Sequence, residues 1–129
     1  MKNVLILGGD GYLGWPTAMF LSSKNYNVTV VDNYFRRKIC LDKNIKSLLS
    51  NPDLIERVKI WNNKTGKEIK VVIGDLTDID FTESLFNGST QYDWSLTNSN
   101  NKPETVIHFA EQPSAPYSMI DSEKSNFTL

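Results

Sequence analysis

The chain has 129 residues, a formal net charge of −1 and a single cysteine. That is one domain's length, with no electrostatic pull toward nucleic acid or an anionic membrane. No apolar run approaches the roughly 20 residues of a membrane span, the N-terminus reads as a strand rather than a signal peptide, and the lone Cys40 between Ile39 and Leu41 reads as a small packed side chain in a reducing cytoplasm.

The apolar run Val4-Leu5-Ile6-Leu7 is too short for a helix and ends in Gly8-Gly9-Asp10-Gly11-Tyr12-Leu13-Gly14. A helical pattern follows through Ser23, with Leu13, Pro16, Thr17, Phe20 and Leu21 on one face. Strand, tight loop and helix in that order carry a specific chemistry. One of the glycines Gly8, Gly11 and Gly14 permits the turn, one lets the backbone approach a pyrophosphate, and one lets helix and strand pack closely. The pyrophosphate then meets the free N–H groups and the positive end of the helix. Pro16 in the first turn removes an N–H that would have had no partner there.

A glycine loop alone is a weak signal, because glycine turns also serve purely structural ends. The next strand strengthens it. Val28-Thr29-Val30-Val31 ends in Asp32, 18 residues past Gly14, where a ribose-binding acid is expected. The bland alternative is a solvated aspartate capping a loop. Asn33-Tyr34-Phe35-Arg36-Arg37-Lys38 then reads as a basic, aromatic loop. Arg36 can lie over the adenine, while Arg37 is as readily a solvated loop residue. A carboxylate at position 32 repels a 2′-phosphate, so NAD is favoured over NADP.

Farther along, Leu41–Ser50 and Pro52–Asn63 read as two short helices. The second repeats Leu54, Ile55, Val58 and Trp61 at helical spacing, with Trp61 as core and Gly66 as the stop. A third strand, Ile69–Gly74, ends in Asp75-Leu76, placed to meet the adenine. Thr77 and Asp78 read as a helix cap, with Phe81, Leu85 and Phe86 on the apolar face behind them. The polar stretch Asn87–Lys102 is a surface excursion longer than the usual connection. A fourth strand, Thr105–Phe109, contains His108, read as a structural histidine rather than a general base. It runs into the proline-broken loop Ala110–Ser118, expected over the same crevice as the glycine loop.

Several of these segments together resemble a known family. They are Gly8–Trp15, Val31-Asp32-Asn33 with Arg36-Arg37, Thr65-Gly66-Lys67, Gly74-Asp75 and His108–Asp121. The chain resembles the UDP-sulfoquinovose synthases, extended short-chain dehydrogenases related to the nucleotide-sugar epimerases and dehydratases. The resemblance covers everything but the Asn87–Lys102 excursion, and Phe109–Asp121 is its most specific part. It implies an enzyme that joins sulfite to UDP-glucose. Bound NAD oxidises the sugar at C4 and later returns the hydride, and sulfite attacks C6 of the dehydrated intermediate.

Carried over by position, the resemblance assigns Gly8, Gly11, Tyr12, Leu13 and Gly14 to the pyrophosphate loop, and Asp32, Asn33 and Arg36 to the adenosine ribose and its surroundings. It assigns Asp75 and Leu76 to the adenine and Ala110 to the approach toward the nicotinamide ribose. Glu111, Gln112, Ser114, Tyr117 and Ser118 become the sugar-side candidates. Pro113 stands where plant-type members carry an arginine that helps hold the UDP-sugar, so that charge is not supplied here. No metal is implied; a homodimer of the full-length enzyme is.

The family's catalytic tyrosine, with a lysine four residues on, has no counterpart in the expected place. Tyr34 and Lys38 have that spacing but lie beside the ribose acid, a chance match. Catalytic residues therefore stay unassigned, and the chain reads as the N-terminal part, residues 1–129, of an NAD-binding domain. The expected fold is a Rossmann-type doubly wound parallel sheet, strands one to four in the order 3-2-1-4, with helices on both faces. Two other readings stand beside the synthase: another nucleotide-sugar epimerase or dehydratase, and a non-catalytic NAD-binding module.

Overall fold

The structure, a computed structural model, describes residues 2–88 and 102–111. Four parallel strands form one sheet in the order β3-β2-β1-β4. They are β1 Asn3–Leu7, β2 Asn27–Asp32, β3 Ile69–Ile73 and β4 Thr105–His108. Four helices connect or follow them: α1 Gly14–Ser23, α2 Phe35–Asp42, α3 Leu54–Thr65 and α4 Ile79–Asn87. The expected strand order holds. Its cause is visible in β1, where every residue from Val4 to Leu7 is buried, as a strand covered on both faces requires.

Alternation along the strands sorts these side chains into two layers. Val4 and Ile6 of β1 and Val28 and Val30 of β2 pack with Trp15 and Ala18 of α1 and with Leu54 and Val58 of α3. Leu5, Leu7, Val31 and Val72 point the other way, onto Phe81 and Leu85 of α4. The register pairs Leu7 with both Val31 and His108, and Asp32 with Ile73. All four carboxyl ends therefore finish on one edge, and the glycine loop, Asp32, Asp75 and Phe109 emerge side by side.

Three local expectations are corrected. The face of α1 that meets the sheet is Gly14, Trp15, Ala18 and Ser22, whereas Leu13, Pro16 and Phe20 are exposed. Small residues four apart let the helix axis approach the strands, and that close approach outweighs the larger apolar stripe. Leu41–Ser50 is not a helix. Helix α2 begins six residues earlier, at Phe35, and residues past Asp42 leave the helix through Asn44 at φ 52°. Its start is fixed by side chains, since Asn33 Oδ1 accepts the Phe35 N–H at 2.9 Å and so turns the expected basic loop into a first helical turn. On α4, Phe81 and Leu85 are buried but Phe86 is 44% exposed.

Other boundaries agree with their chemical signals. Asp53 caps α3 by accepting the Glu56 N–H, and Gly66 ends it in the left-handed region at φ 68°. Asp78 caps α4 through the Phe81 N–H. Trp61 packs at the margin of the core and donates its indole N–H to Ser22 Oγ at 3.0 Å. Among the described residues no helix is long and apolar enough to cross a membrane.

Close approach is tightest at Gly14. A Cβ there would lie 2.0 Å from the Gly8 carbonyl oxygen, whereas a Cβ at Gly11 would meet only that oxygen, at 3.4 Å. Gly14→Ala should therefore destabilise the fold by about 2 kcal/mol or more, as overpacking does, and Gly11→Ala should change stability little. Chemical unfolding of both variants checks this: equal midpoints would contradict the packing role of Gly14.

Candidate functional site: a dinucleotide cleft at the sheet's carboxyl edge

The loop between β1 and α1 is built from backbone outward. The N–H groups of Gly8 and Gly9 both donate to the Val31 carbonyl, at 2.8 and 3.0 Å, which stitches the loop to the end of β2. Gly8 has φ +86°, and a Cβ on it would lie 2.8 Å from the Phe109 carbonyl. Only glycine meets both demands. The same contact confirms that the chain leaving β4 lies against the glycine loop, with Ala110 packed on the layer beneath α4.

Beyond Gly11 the loop is left unfinished. No side chain caps α1, its first turn carries no acidic residue, and among the described residues no group accepts the N–H of Tyr12 or Leu13. Tyr12 and Leu13 are exposed, at 73% and 49%. Free peptide N–H groups at the positive end of a helix, beside a glycine without a side chain, suit an anionic oxygen. This cradle fits a pyrophosphate.

Asp32 forms the next wall. Its Oδ2 accepts the Asp10 N–H and its Oδ1 accepts the Tyr34 N–H, each at 2.9 Å. A carboxylate has roughly four acceptor positions, so capacity remains for a hydroxyl pair. Burial raises the Asp32 pKa above its ordinary 3.8, and the nearby Asp10 charge adds to this, while the N–H groups of Asp10, Tyr34 and Asn33 pull it down. Burial prevails.

Asn33, Asp75, Leu76 and Arg36 lie along the same edge. Asn33 is exposed and donates Nδ2 to Asp75 Oδ2 at 3.4 Å. Asp75 Oδ1 accepts both the Thr77 N–H and the Thr77 hydroxyl, which starts the turn into α4, and Leu76 lies half-buried beside it. Arg36 is exposed, its guanidinium 5.8 Å from the Tyr12 ring centre, so it spans the mouth between the ribose wall and the glycine loop. Glu111 is exposed beyond Ala110. Gln112, Pro113, Ser114, Tyr117 and Ser118 lie outside the described residues.

Two residues of this region carry no functional signal in the sequence. Asp10 is a loop residue and Arg57 a helix residue, yet the Asp10 carboxylate, 9% exposed, pairs with both Arg57 and Arg37. Arg37 is thereby a bound side chain, not a solvated one. Tyr34 lies beside this cluster, with Arg37 over its ring. Its hydroxyl is buried without a hydrogen-bond partner among the described residues, and burial, then the Asp53 charge, push its pKa up. His108 is exposed on the edge strand β4.

The chain is 40% identical over 127 residues to the chloroplastic UDP-sulfoquinovose synthase of Spinacia oleracea, and 33% identical over 127 residues to the UDP-sulfoquinovose synthase of Sulfolobus acidocaldarius. The chain is thus similar to UDP-sulfoquinovose synthases along nearly its whole length. Each alignment takes in 98% of this chain but only 24% and 29% of the relatives, so the chain spans about a quarter of their length. The crystal structure of UDP-glucose 4-epimerase from Bifidobacterium longum in complex with NAD+ and UDP superposes with a TM-score of 0.63. That match covers 97% of this chain and 30% of the epimerase at 24% identity, and it establishes the Rossmann-type fold. No protein-family model matches the chain.

The raised Asp32 pKa has a signed consequence. Between 3.8 and its folded value the native state holds a proton that the unfolded state has released. Stability contributed by Asp32 is then full below 3.8 and is lost as the pH rises through the folded value. The stability of the wild type minus that of Asp32→Ala should accordingly fall as the pH is raised from about 3 to about 6. Urea unfolding at stepped pH measures it, and a difference that grows with pH would contradict the assignment.

Proposed function

We propose that this chain is the NAD-binding part of a nucleotide-sugar enzyme of the UDP-sulfoquinovose synthase type, which converts UDP-glucose and sulfite to UDP-sulfoquinovose. The observation that carries the cofactor half of this reading is the continuity of one cleft. An uncapped helix start, an open Gly11 and a ribose-facing carboxylate follow one another along the carboxyl edge. The sulfite half is supported by the 40% and 33% identities to two UDP-sulfoquinovose synthases of distant origin.

In this reading the N–H groups of Tyr12 and Leu13 hold the pyrophosphate, with Gly8, Gly11 and Gly14 shaping the loop beneath it. Asp32 accepts the ribose hydroxyls, and Asn33 and Arg36 close over the adenosine. Asp75 and Leu76 border the adenine, and Ala110 borders the nicotinamide side. NAD, when bound, supplies a hydride acceptor that takes up and returns the hydrogen at the sugar's C4. Glu111, Gln112, Ser114, Tyr117 and Ser118 are the residues of this chain assigned to the sugar. The working enzyme is a homodimer in a reducing compartment such as the cytoplasm.

Calorimetry tests the cofactor half. NAD should bind at least about tenfold more tightly than NADP, a difference of about 1.4 kcal/mol. Asp32→Ala should narrow that gap, and Gly11→Val, whose side chain fills the pyrophosphate position, should abolish NAD binding while the fold survives. Equal or tighter NADP binding by the wild type would sink the assignment.

Product analysis by mass spectrometry tests the sulfite half. The 129 residues alone should give no UDP-sulfoquinovose from NAD, UDP-glucose and sulfite, because a positioned base contributing about 10²- to 10⁴-fold is missing. A protein in which these residues continue into a Tyr-x-x-x-Lys segment should form it. UDP-galactose as the only product of that longer protein would indicate a 4-epimerase instead.

A further inference from the structure

Asp10 has no part in the cofactor contacts just described, yet more of the site converges on it than on any of them. Arg37 grips its carboxylate with two donors, Nε on Oδ2 at 2.5 Å and Nη2 on Oδ1 at 2.8 Å. Arg57 Nη2 donates to the same Oδ1 and, at 3.1 Å, to the Asp10 carbonyl. Each arginine is fixed from a second side. Arg37 also donates to the carbonyls of Asn51 and Pro52, at 3.0 and 2.8 Å, and the Arg57 guanidinium lies 5.1 Å from the centre of the Trp15 ring. The Asp10 N–H, meanwhile, donates to Asp32 Oδ2.

One residue thus ties the glycine loop to α2, to α3 and to the acid that ends β2. We propose that Asp10 is a specificity-determining positioning residue: its carboxylate keeps Arg37 and Arg57 from pairing with an adenosine 2′-phosphate, while its N–H holds Asp32 in place for a 2′-hydroxyl. This inference rests on the dinucleotide reading of the preceding subsection.

The chemistry favours it. A phosphate monoester carries close to two negative charges at neutral pH and is best met by a guanidinium fork. Arg37 is within one residue's reach of the ribose acid, through Asp10, and would present such a fork if free. Its donors are instead spent on a carboxylate that is nearly out of water, where the bidentate pair is strongest. Arg36, over Tyr12, is not held by Asp10 and stands outside this device. Discrimination between the two cofactors then has two parts. Asp32 repels the 2′-phosphate, and Asp10 withholds the cations that could compensate.

The test is isothermal titration of NAD and of NADP into the 129-residue chain and its variants. Asp10→Asn keeps the size of the side chain but releases the bidentate grip. It should lower the NAD-over-NADP preference by about tenfold, the scale of one charge-assisted pair, mainly by tightening NADP. That gain should weaken with added salt, and it should disappear when Arg37→Met and Arg57→Met are both added. Arg37→Met alone should leave the wild-type preference unchanged, because Arg37 is already withheld. An unmoved preference in folded Asp10→Asn, a gain that survives loss of both Arg37 and Arg57, or weaker NADP binding in Arg37→Met alone would each overturn the inference while the dinucleotide reading stands. If Asp10→Asn does not fold, the Arg37→Met arm decides. A wild type that binds neither cofactor overturns both.

Discussion

The structure depends on how the end of β2 is held. Asp32 lies where the sheet gives way to the cleft, and each of its carboxylate oxygens accepts a peptide N–H, one from the glycine loop and one from the residue that begins α2. These two bonds fix the loop and α2 relative to the same strand. The Val31 carbonyl adds a second clasp by accepting two glycine-loop N–H groups. A carboxylate this buried is costly unless hydrogen-bonded, and the peptide donors offset that cost without neutralising the group.

Around this point the molecule accepts local strain. Tyr34 sits in the left-handed region at φ 58°, a conformation that costs a bulky residue of order 1 kcal/mol or more. It is held there by the N–H it gives to Asp32, by the helix that follows, and by Arg37 over its ring. The ion cluster at Asp10 works in the same direction. Breaking a buried pair leaves an uncompensated charge, so Asp10, Arg37 and Arg57 lock loop, α2 and α3 into one arrangement. The consequence is a preorganised mouth: the walls of the cleft are bonded to one another before any ligand arrives, which lowers the ordering cost of binding.

The relatives place this arrangement in a wider context. UDP-sulfoquinovose synthases of a plant and an archaeon align with almost the whole chain, and an epimerase shares its fold. Those proteins are three to four times longer than this chain, so what they share with it is one portion of each.

Much of this was legible in the sequence, for identifiable reasons. The strands announce themselves because a parallel sheet covered on both faces favours apolar runs: Val4–Leu7 is unbroken, and Val28–Val31 and Ile69–Ile73 are interrupted only by Thr29 and by Lys70. Gly8, Gly14 and Asp32 were readable because their chemistry is local: a turn, a close approach, an acid at a strand tip. Helix α2 was misplaced because its start is set by side chains that bond backward, Asn33 onto Phe35, while apolar Leu41, Ile45, Leu48 and Leu49 imitate a helix and remain exposed. The buried face of α1 was misread because hydrophobic spacing favours bulk, whereas the sheet selects the small residues that permit contact. Asp10 with Arg57 lies 47 positions apart in the chain. No periodicity links charges at that distance, and only the folding of α3 against the glycine loop brings them together. The sequence determined the strands, the turn and the acid at the tip of β2, each through short-range backbone chemistry. The tertiary structure alone decided which arginines are spent, because a charge pair between distant residues exists only once the core has packed.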